Sequence, residues 1–306
     1  MRAARFSRFG GPEVLEIVEL PDPHPGEGEL RIRVRAAGIN ASDWKKRQGA
    51  LDQELPQTLG YEASGVVDQI GEGVSGVSVG DRVFGVSPYG AAQAELAVLS
   101  DWAPVPALLD HAQAAAIPAA AETAARALDQ LGVTAGMDVT VGSTLLVNGA
   151  SGSVGRMAVQ LARERGVRVI GTGSPGTHDD LRALGAEPVA YGDGMTDRVR
   201  AILPPGVDFA LDVAGSGVLP ELVELAGTPE RVITVADFQG ARLTGVRFSR
   251  GDAGRALYAL GHVARMMEDG RFSVQVGRTF PLSEVAHAHR VGEAGTVRGK
   301  LVLVVG

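Results

Sequence analysis

The chain has 306 residues, 45% of them hydrophobic and 21% charged, with 29 Lys and Arg against 36 Asp and Glu and a formal net charge of −7. That length allows two domains with sizeable cores, and charges dispersed through so apolar a chain exclude general disorder. No cysteine is present, which excludes disulfides, thiolate zinc sites and cysteine nucleophiles, and the acidic balance without a basic block argues against nucleic acid as a partner.

The opening MRAARFSRFGGPEV lacks the apolar core of a secretory signal, and no run approaches the length of a membrane span, so a cytoplasmic protein with no membrane partner is expected. Residues 1 to about 100 read as β-rich: VLEIVEL, LRIRVRAAG, ASGVVDQIG, DRVFGV and AELAVL are short, alternating or β-branched, and separated by Gly, Pro and Asp. Within RIRVRAAG the arginines alternate with apolar residues, as on the solvated face of a strand. PDPHPGEGE is a loop. Alanine-rich AQAAAIPAAAETAARALDQLG then predicts a helical stretch.

From about 120 to 260 apolar segments alternate with amphipathic ones. LLVNG, VRVIGTG, PVAYG, FALDVAG and RVITVAD suit buried strands, whereas VGRMAVQLARERG, HDDLRALGA, DRVRAILPPG and LPELVELAG suit helices. Such alternation implies βαβ units and a parallel sheet. ALGHVARMMEDGRF predicts another helix, VQVGRTFPLSEVAHAHRVGEAG a strand, turn and helix, and KLVLVV a final strand. The expected fold is α/β, with a β-rich domain from residues 1–120 and 262–306 and a nucleotide-type domain, 121–261, inserted in it.

Gly149, Gly152 and Gly155 form a GxxGxxG spacing between a predicted strand and a predicted helix, where backbone amides can approach a dinucleotide pyrophosphate. Val154, Met157, Ala158 and Leu161 give that helix its apolar stripe, while Ser151 and Ser153 read as phosphate-facing or small loop residues. The end of the next strand offers Thr172, Gly173 and Ser174, with no acid to hold a ribose diol, which favours NADPH over NADH. The following PGTH supplies only His178 as a cation, and Asp179 and Asp180 come next. His287 and His289 are two apart and fall on different helix faces. The other histidines are scattered, so no metal site is expected. GASGSVG does not fit a nucleophile elbow either.

FGGPEVLEIVELPDPHPGEGELRIRVRAAGINASDW, LGYEASGVVDQIGEGVSGVSVGDRVFG, AAAIPAAAETAARAL, NGASGSVG and the closing RGKLVLVV, in that order, resemble the medium-chain dehydrogenase/reductase superfamily, in its zinc-independent quinone oxidoreductase, or zeta-crystallin-like, branch. The resemblance covers nearly the whole chain. It implies a GroES-like β-domain from both termini, an inserted Rossmann domain, and a cleft where nicotinamide meets substrate. Zinc-dependent relatives place Cys and His where this chain has Asn40 and Tyr61, so neither catalytic nor structural zinc is expected. Glu62 survives from the zinc pattern and is expected to bond loop backbone. Asn40 matches a residue near the nicotinamide and the substrate carbonyl, and Ser174 and Tyr191 match residues that contact the adenosine phosphate. Val213 and Ala214 in LDVAG, and Val235 and Ala236 in VAD, would border the ribose and nicotinamide, and Thr123 and Lys300 complete the expected cofactor set. Gly176 stands where close relatives often carry a basic residue. VTAGMDVTVGSTLLV, ahead of the glycine loop, is longer than the family pattern.

Without zinc, conjugated acceptors are favoured over simple alcohols, because a quinone or enone delocalises the charge that arrives with hydride. Asn40, Trp44, Lys45 and Tyr61 are the substrate-side candidates. Each has a purely structural alternative: a turn cap for Asn40, packing for Trp44, a solvated charge for Lys45 or Lys46, and space filling for Tyr61. The expected activity is NADPH-dependent reduction of a small-molecule quinone or enone by a homodimer, or a tetramer. An enoyl-thioester reductase of the same superfamily and an NADPH-binding sensor without turnover are the alternatives.

Overall fold

The computed structural model describes residues 1–134, 142–251 and 254–306. Much of the long stretch before the glycine loop, residues 135–141, lies outside the described residues. In chain order, β1 (Arg2–Phe6), β2 (Glu16–Glu19) and β3 (Leu30–Ile39) lead to α1 (Ala41–Arg47), β4 (Gln57–Thr58), β5 (Glu62–Ile70), β6 (Arg82–Val86), β7 (Leu96–Leu99) and β8 (Asp101–Pro104). Two helices follow, α2 (His111–Ala115) and α3 (Pro118–Gln130). The alternating region comprises β9 (Thr144–Asn148), α4 (Ser153–Glu164), β10 (Arg168–Gly173), α5 (His178–Ala183), β11 (Glu187–Ala190), α6 (Met195–Ile202), β12 (Phe209–Asp212), α7 (Leu219–Ala226), β13 (Val232–Thr234), α8 (Phe238–Thr244) and β14 (Arg247–Phe248). The chain ends with α9 (Tyr258–Glu268), β15 (Val276–Pro281), α10 (Val285–Ala294) and β16 (Lys300–Val304).

The chain divides into two compact units. One comprises Met1–Ala119 and Leu257–Gly306. Its main sheet has the order β15-β16-β3-β5-β6-β8, with β7 also paired to β3, and a smaller sheet runs β2-β1-β4. The C-terminal strand belongs to this unit: β16 lies antiparallel to β3, with Leu301 opposite Ile39 and Val304 opposite Ala36. Leu30, Ile32 and Val34 face a core shared with Leu59, Leu99, Phe280 and Leu303, a segregation that the period-two pattern of β3 dictates. Arg33 and Arg35 are exposed, as that pattern predicts, but Arg31 is half-buried and forks onto Asp68 with contacts of 2.8 and 3.2 Å.

The expected helical stretch over 112–132 is two helices. Asp110 caps α2 by accepting the Gln113 N–H at 2.8 Å, and α3 starts afresh at Pro118, which has no N–H to continue the earlier ladder. Helix α1 and strands β1 and β8 are absent from the sequence reading. They are short and take their order from tertiary pairing.

The second unit, Ala120–Ala256, carries the other sheet, with order β11-β10-β9-β12-β13-β14 and every pair parallel. Every residue of β9 is buried, as a central parallel strand requires. From β9 the chain builds β10 and β11 on one side and β12 to β14 on the other. The strand order therefore reverses beside β9, the switch point at which doubly wound sheets bind ligands. The protein is thus α/β, a β-rich unit from both chain ends interrupted by a Rossmann-type parallel unit. Among the described residues no helix is long and apolar enough to cross a membrane.

Candidate active site

The glycine loop leaves β9 at the switch point. Gly149 has φ +83, a left-handed conformation that disfavours side chains, and a Cβ there would come within 2.8 Å of Ala214 Cβ. At Gly155 an added Cβ would lie 2.2 Å from Gly149 O and 2.6 Å from Ala150 Cα, so the first turn of α4 is pressed directly onto the loop backbone. Met157, Ala158 and Leu161 are buried on α4 and Val154 is partly covered. Gly152 is the N-cap, exposed, and its added Cβ would meet only Gly149 O, at 3.4 Å. Open backbone therefore faces outward where the N–H groups of α4 are unsatisfied, a cradle suited to phosphate.

A ladder of buried polar groups fixes this cradle from below. Gly149 N donates to Thr172 Oγ1 at 2.9 Å, Thr172 Oγ1 donates to Asn148 Oδ1 at 2.8 Å, and Asn148 Nδ2 donates to Asp212 Oδ1 at 2.9 Å. Thr234 Oγ1 donates to Asp212 Oδ2 at 2.7 Å and itself accepts from the N–H groups of Ala236 and Asp237. Asp212 Oδ1 also accepts from Ala214 and Gly215. Four neighbouring strands thus end in one connected network, which orders all the loops at this edge. Sequence reading passed over Asn148, Asp212 and Thr234; their signal was a polar residue closing each of three apolar strands.

A cavity of about 650 Å³ opens above the ladder. Of the expected cofactor residues, Gly149, Ser151, Gly152, Gly173, Tyr191, Val213 and Ala214 line it. Its wall also includes Asp193 and Glu221 but no lysine or arginine. Ser153, Val154 and Gly155 form the first turn of α4 and are not among the cavity's lining residues. Ser174 begins a tight turn in which its carbonyl accepts both the Thr177 N–H and hydroxyl at 2.8 Å. His178 opens α5 with its Nε2 buried and without a hydrogen-bond partner. Val235 and Ala236 follow β13, and Thr123 is on α3, half-buried.

In the other unit, Asn40 sits between β3 and α1. It occupies the N-cap position, yet its side chain does not cap the helix. Asn40 Nδ2 donates to Glu62 Oε1 at 2.8 Å, and Lys300 donates to Asn40 Oδ1. Capping falls to Asp43, whose Oδ2 accepts the Asn40 N–H at 2.7 Å while Oδ1 accepts the Gly60 N–H at 3.2 Å. Burial pushes the Asp43 carboxyl up to about 7, against the opposing pull of those backbone N–H groups and of Lys300. Glu62 is fully buried; its Oε2 accepts the Ala119 N–H, in the first turn of α3, at 2.7 Å. Lys300, expected among the cofactor residues, has its Nζ engaged by Glu62 and Asn40.

Around Tyr61 the structure alters the expected set. Lys45 is exposed, whereas the adjacent Lys46 is buried with its Nζ 5.6 Å from the Tyr61 ring centroid. Successive helical residues point about 100° apart, and linear sequence does not tell which of two neighbouring lysines turns inward. Trp44 packs against α10, edge-on to His289 with ring centroids 6.4 Å apart. His289 is fully buried and burial pushes its imidazole down to about 3, with the Arg47 guanidinium adding to the effect. His287, two residues away, is half-exposed beside Glu284, on a different face as the spacing predicts. Among the described residues no cluster of three or more His, Asp or Glu side chains is placed to hold a metal ion.

Comparison with known proteins bears on both units. Residues 26–102 match the alcohol dehydrogenase GroES-like domain family, and residues 184–303 match the zinc-binding dehydrogenase family. A quinone oxidoreductase of Lama guanicoe is 31% identical over an alignment that spans all of this chain and 98% of that protein. The solved quinone oxidoreductase of Coxiella burnetii superposes with a TM-score of 0.85 at 30% identity, covering 100% of this chain and 99% of that one. An NAD-dependent alcohol dehydrogenase superposes at 0.83 with 31% identity and full coverage of both chains. A mycobacterial protein solved with NADPH gives 0.78 at 28% identity, covering 99% of this chain and 100% of its own.

Proposed function

The chain belongs to the medium-chain dehydrogenase/reductase superfamily, within its quinone oxidoreductase family, and from that premise we propose that it is a zinc-independent reductase using NADPH to reduce a quinone or an α,β-unsaturated carbonyl. The observation that carries this reading is the glycine cradle at the switch point, where a Cβ on Gly149 or Gly155 would collide with neighbouring atoms. NADPH, when bound, supplies the hydride. The loop 149–155 holds the pyrophosphate with backbone N–H groups, and the Thr172–Asn148–Asp212–Thr234 ladder keeps that backbone from yielding.

Thr172 and Gly173 close β10 and Ser174 follows it, with no carboxylate of the kind that would favour NADH. On the substrate side Asn40 is held by Lys300 and Glu62, so its amide keeps one orientation toward a carbonyl. Asn40 and Tyr61 stand where zinc-dependent relatives carry Cys and His, and the chain offers no thiolate. Carbonyl activation then falls to hydrogen bonds and charge, which suffices best for acceptors that delocalise the incoming electrons.

The test is nicotinamide oxidation with a chelator present, comparing NADPH and NADH at equal concentration against quinones, alkenals, cyclic enones, enoyl thioesters and simple aldehydes. Chelator-resistant NADPH oxidation by quinones or enones is expected. Preference for NADH overturns the cofactor assignment, turnover of enoyl thioesters alone changes the substrate class, and tight binding without turnover marks a sensor.

A further inference from the structure

Helix α3 carries an ion pair that the fold shuts away from water. Glu122 and Arg126 are each 7% exposed, and Arg126 Nε donates to Glu122 Oε1 at 2.8 Å, one helical turn apart. All three guanidinium nitrogens are engaged: Nη2 donates to Glu122 Oε2 at 3.4 Å, and Nη1 donates to the hydroxyl of Ser249, a buried residue 123 positions along the chain. Glu122 Oε1 also accepts the Ala256 N–H at 3.2 Å. The pair therefore fastens Ser249 and Ala256 to α3. Ser249 follows β14, and its N–H donates to the Thr234 carbonyl, at the end of β13, at 2.8 Å. Thr234 is the last member of the ladder below the cradle; its hydroxyl binds Asp212 and accepts the N–H groups of Ala236 and Asp237. Taking two charges out of water is costly, and an apolar pair of similar volume often gives equal stability. What a buried ion pair does, and an apolar pair does not, is to hold a hydroxyl and a backbone N–H in fixed directions.

We propose that Glu122 and Arg126 are positioning residues for the nicotinamide half of the cofactor. The inference rests on the dinucleotide reading of the cradle and deepens it. A doubly wound sheet binds a dinucleotide across its switch point, with the pyrophosphate on the glycine loop and the adenosine ribose at the end of the next strand. Here those are the ends of β9 and β10, so the nicotinamide half falls on the opposite side, over the ends of β12 and β13. That side is weakly built. β13 has three residues and β14, which ends the sheet, has two, whereas β10 has six and is paired on both sides. The buried pair supplies the missing support. Arg126 holds Ser249, Ser249 holds Thr234, and Thr234 sets the backbone of Ala236 and Asp237 beyond it. Glu122 and Arg126 act through these residues and touch no reacting atom. The adenosine half is supported separately, by the bonds from Thr172 to Gly149 and Asn148.

The experiment measures, on the full chain and well below its melting temperature, the affinity for NADPH and for 2′,5′-ADP, which is the adenosine half alone, together with kcat for a quinone. Ser249→Ala keeps the ion pair and cuts only its link to β14. It is expected to leave 2′,5′-ADP affinity at the wild-type level, to weaken NADPH binding about tenfold and to lower kcat up to about a hundredfold. Arg126→Met gives the same split. Arg126→Lys keeps the charge but lacks the planar fork that reaches Glu122 and Ser249 together, so it recovers melting temperature without recovering kcat. Arg165→Met, which breaks the pair with Asp129 at the far end of α3, lowers the melting temperature and produces no split. Equal losses of both ligands, or a lower melting temperature with both affinities and kcat unchanged, overturn the proposal. If the wild type binds neither ligand, the cofactor reading fails and the inference with it; if it takes NADH instead, 5′-AMP replaces 2′,5′-ADP and the same split decides. Should Arg126→Met fail to fold, Ser249→Ala decides alone.

Discussion

Lys300 Nζ lies 2.6 Å from Glu62 Oε1, an ion pair in which the lysine is 4% exposed and the glutamate fully buried, joining the last strand of the chain to β5. The same amine bonds Asn40, whose amide in turn bonds Glu62, so three side chains far apart in sequence close a triangle. Lys300→Met leaves a buried carboxylate facing a methyl group and is expected to cost about 3–5 kcal/mol. Lys300→Arg, which keeps the charge, loses distinctly less. Urea unfolding of the two variants checks this; equal stabilities would show that the charge is immaterial.

Asp43 has an ordinary carboxyl value of 3.8 and is pushed up to about 7 by burial. Between about pH 4 and pH 7 the folded state therefore holds a proton that the unfolded chain has released. Stability from this group is fully present below pH 4 and declines as pH rises to 7, by up to about 1.4 kcal/mol per pH unit, then levels off. Asp43→Asn removes the decline, although loss of one acceptor for the Asn40 and Gly60 N–H groups lowers its stability throughout. Unfolding midpoints from pH 4.5 to 8 measure the slope.

His289 acts with the opposite sign. Its imidazole falls from 6.5 to about 3, so between those values the unfolded chain binds the extra proton and stability rises with pH, flattening above 6.5. The Asp43 and His289 slopes oppose one another between about pH 4 and 6.5. His289→Leu is expected to uncover the Asp43 decline across that window, whereas Asp43→Asn uncovers the His289 rise. A pH-independent midpoint in both variants would sink the pairing.

Gly152 and Gly155 separate cofactor contact from folding. Gly155→Ala drives a methyl into the Gly149 carbonyl and is expected to lose about 1–3 kcal/mol or more, with NADPH binding lost as well. At Gly152, φ is −76 and the nearest atom to an added Cβ is 3.4 Å away. Gly152→Ala should keep wild-type stability within about 0.5 kcal/mol yet weaken NADPH binding at least about tenfold, because in the proposed function the methyl would stand where the pyrophosphate approaches. Thermal unfolding beside a fluorescence titration distinguishes the two.

Much of this protein was legible in one dimension. Alternation along β3, the continuous apolar run of β9 and the stripe on α4 are local consequences of burial at fixed periods, so strand, helix and sheet type followed from sequence. The GxxGxxG spacing could be placed because its meaning lies in the few residues around it. Other features depend on atoms distant in the chain. Asn40 had a turn cap as its structural alternative in sequence, but its side chain is taken by Glu62 and by Lys300, 260 residues away, and its backbone N–H is accepted by Asp43. Lys45 and Lys46 are equivalent in sequence until α1 packs and turns one of them onto Tyr61. The shifted carboxyl of Asp43 and the neutral imidazole of His289 arise from desolvation, which has no linear signature. Periodicity set the layers of this protein; only the folded chain decided which polar groups meet inside them, because pairing and burial are properties of three-dimensional neighbourhoods.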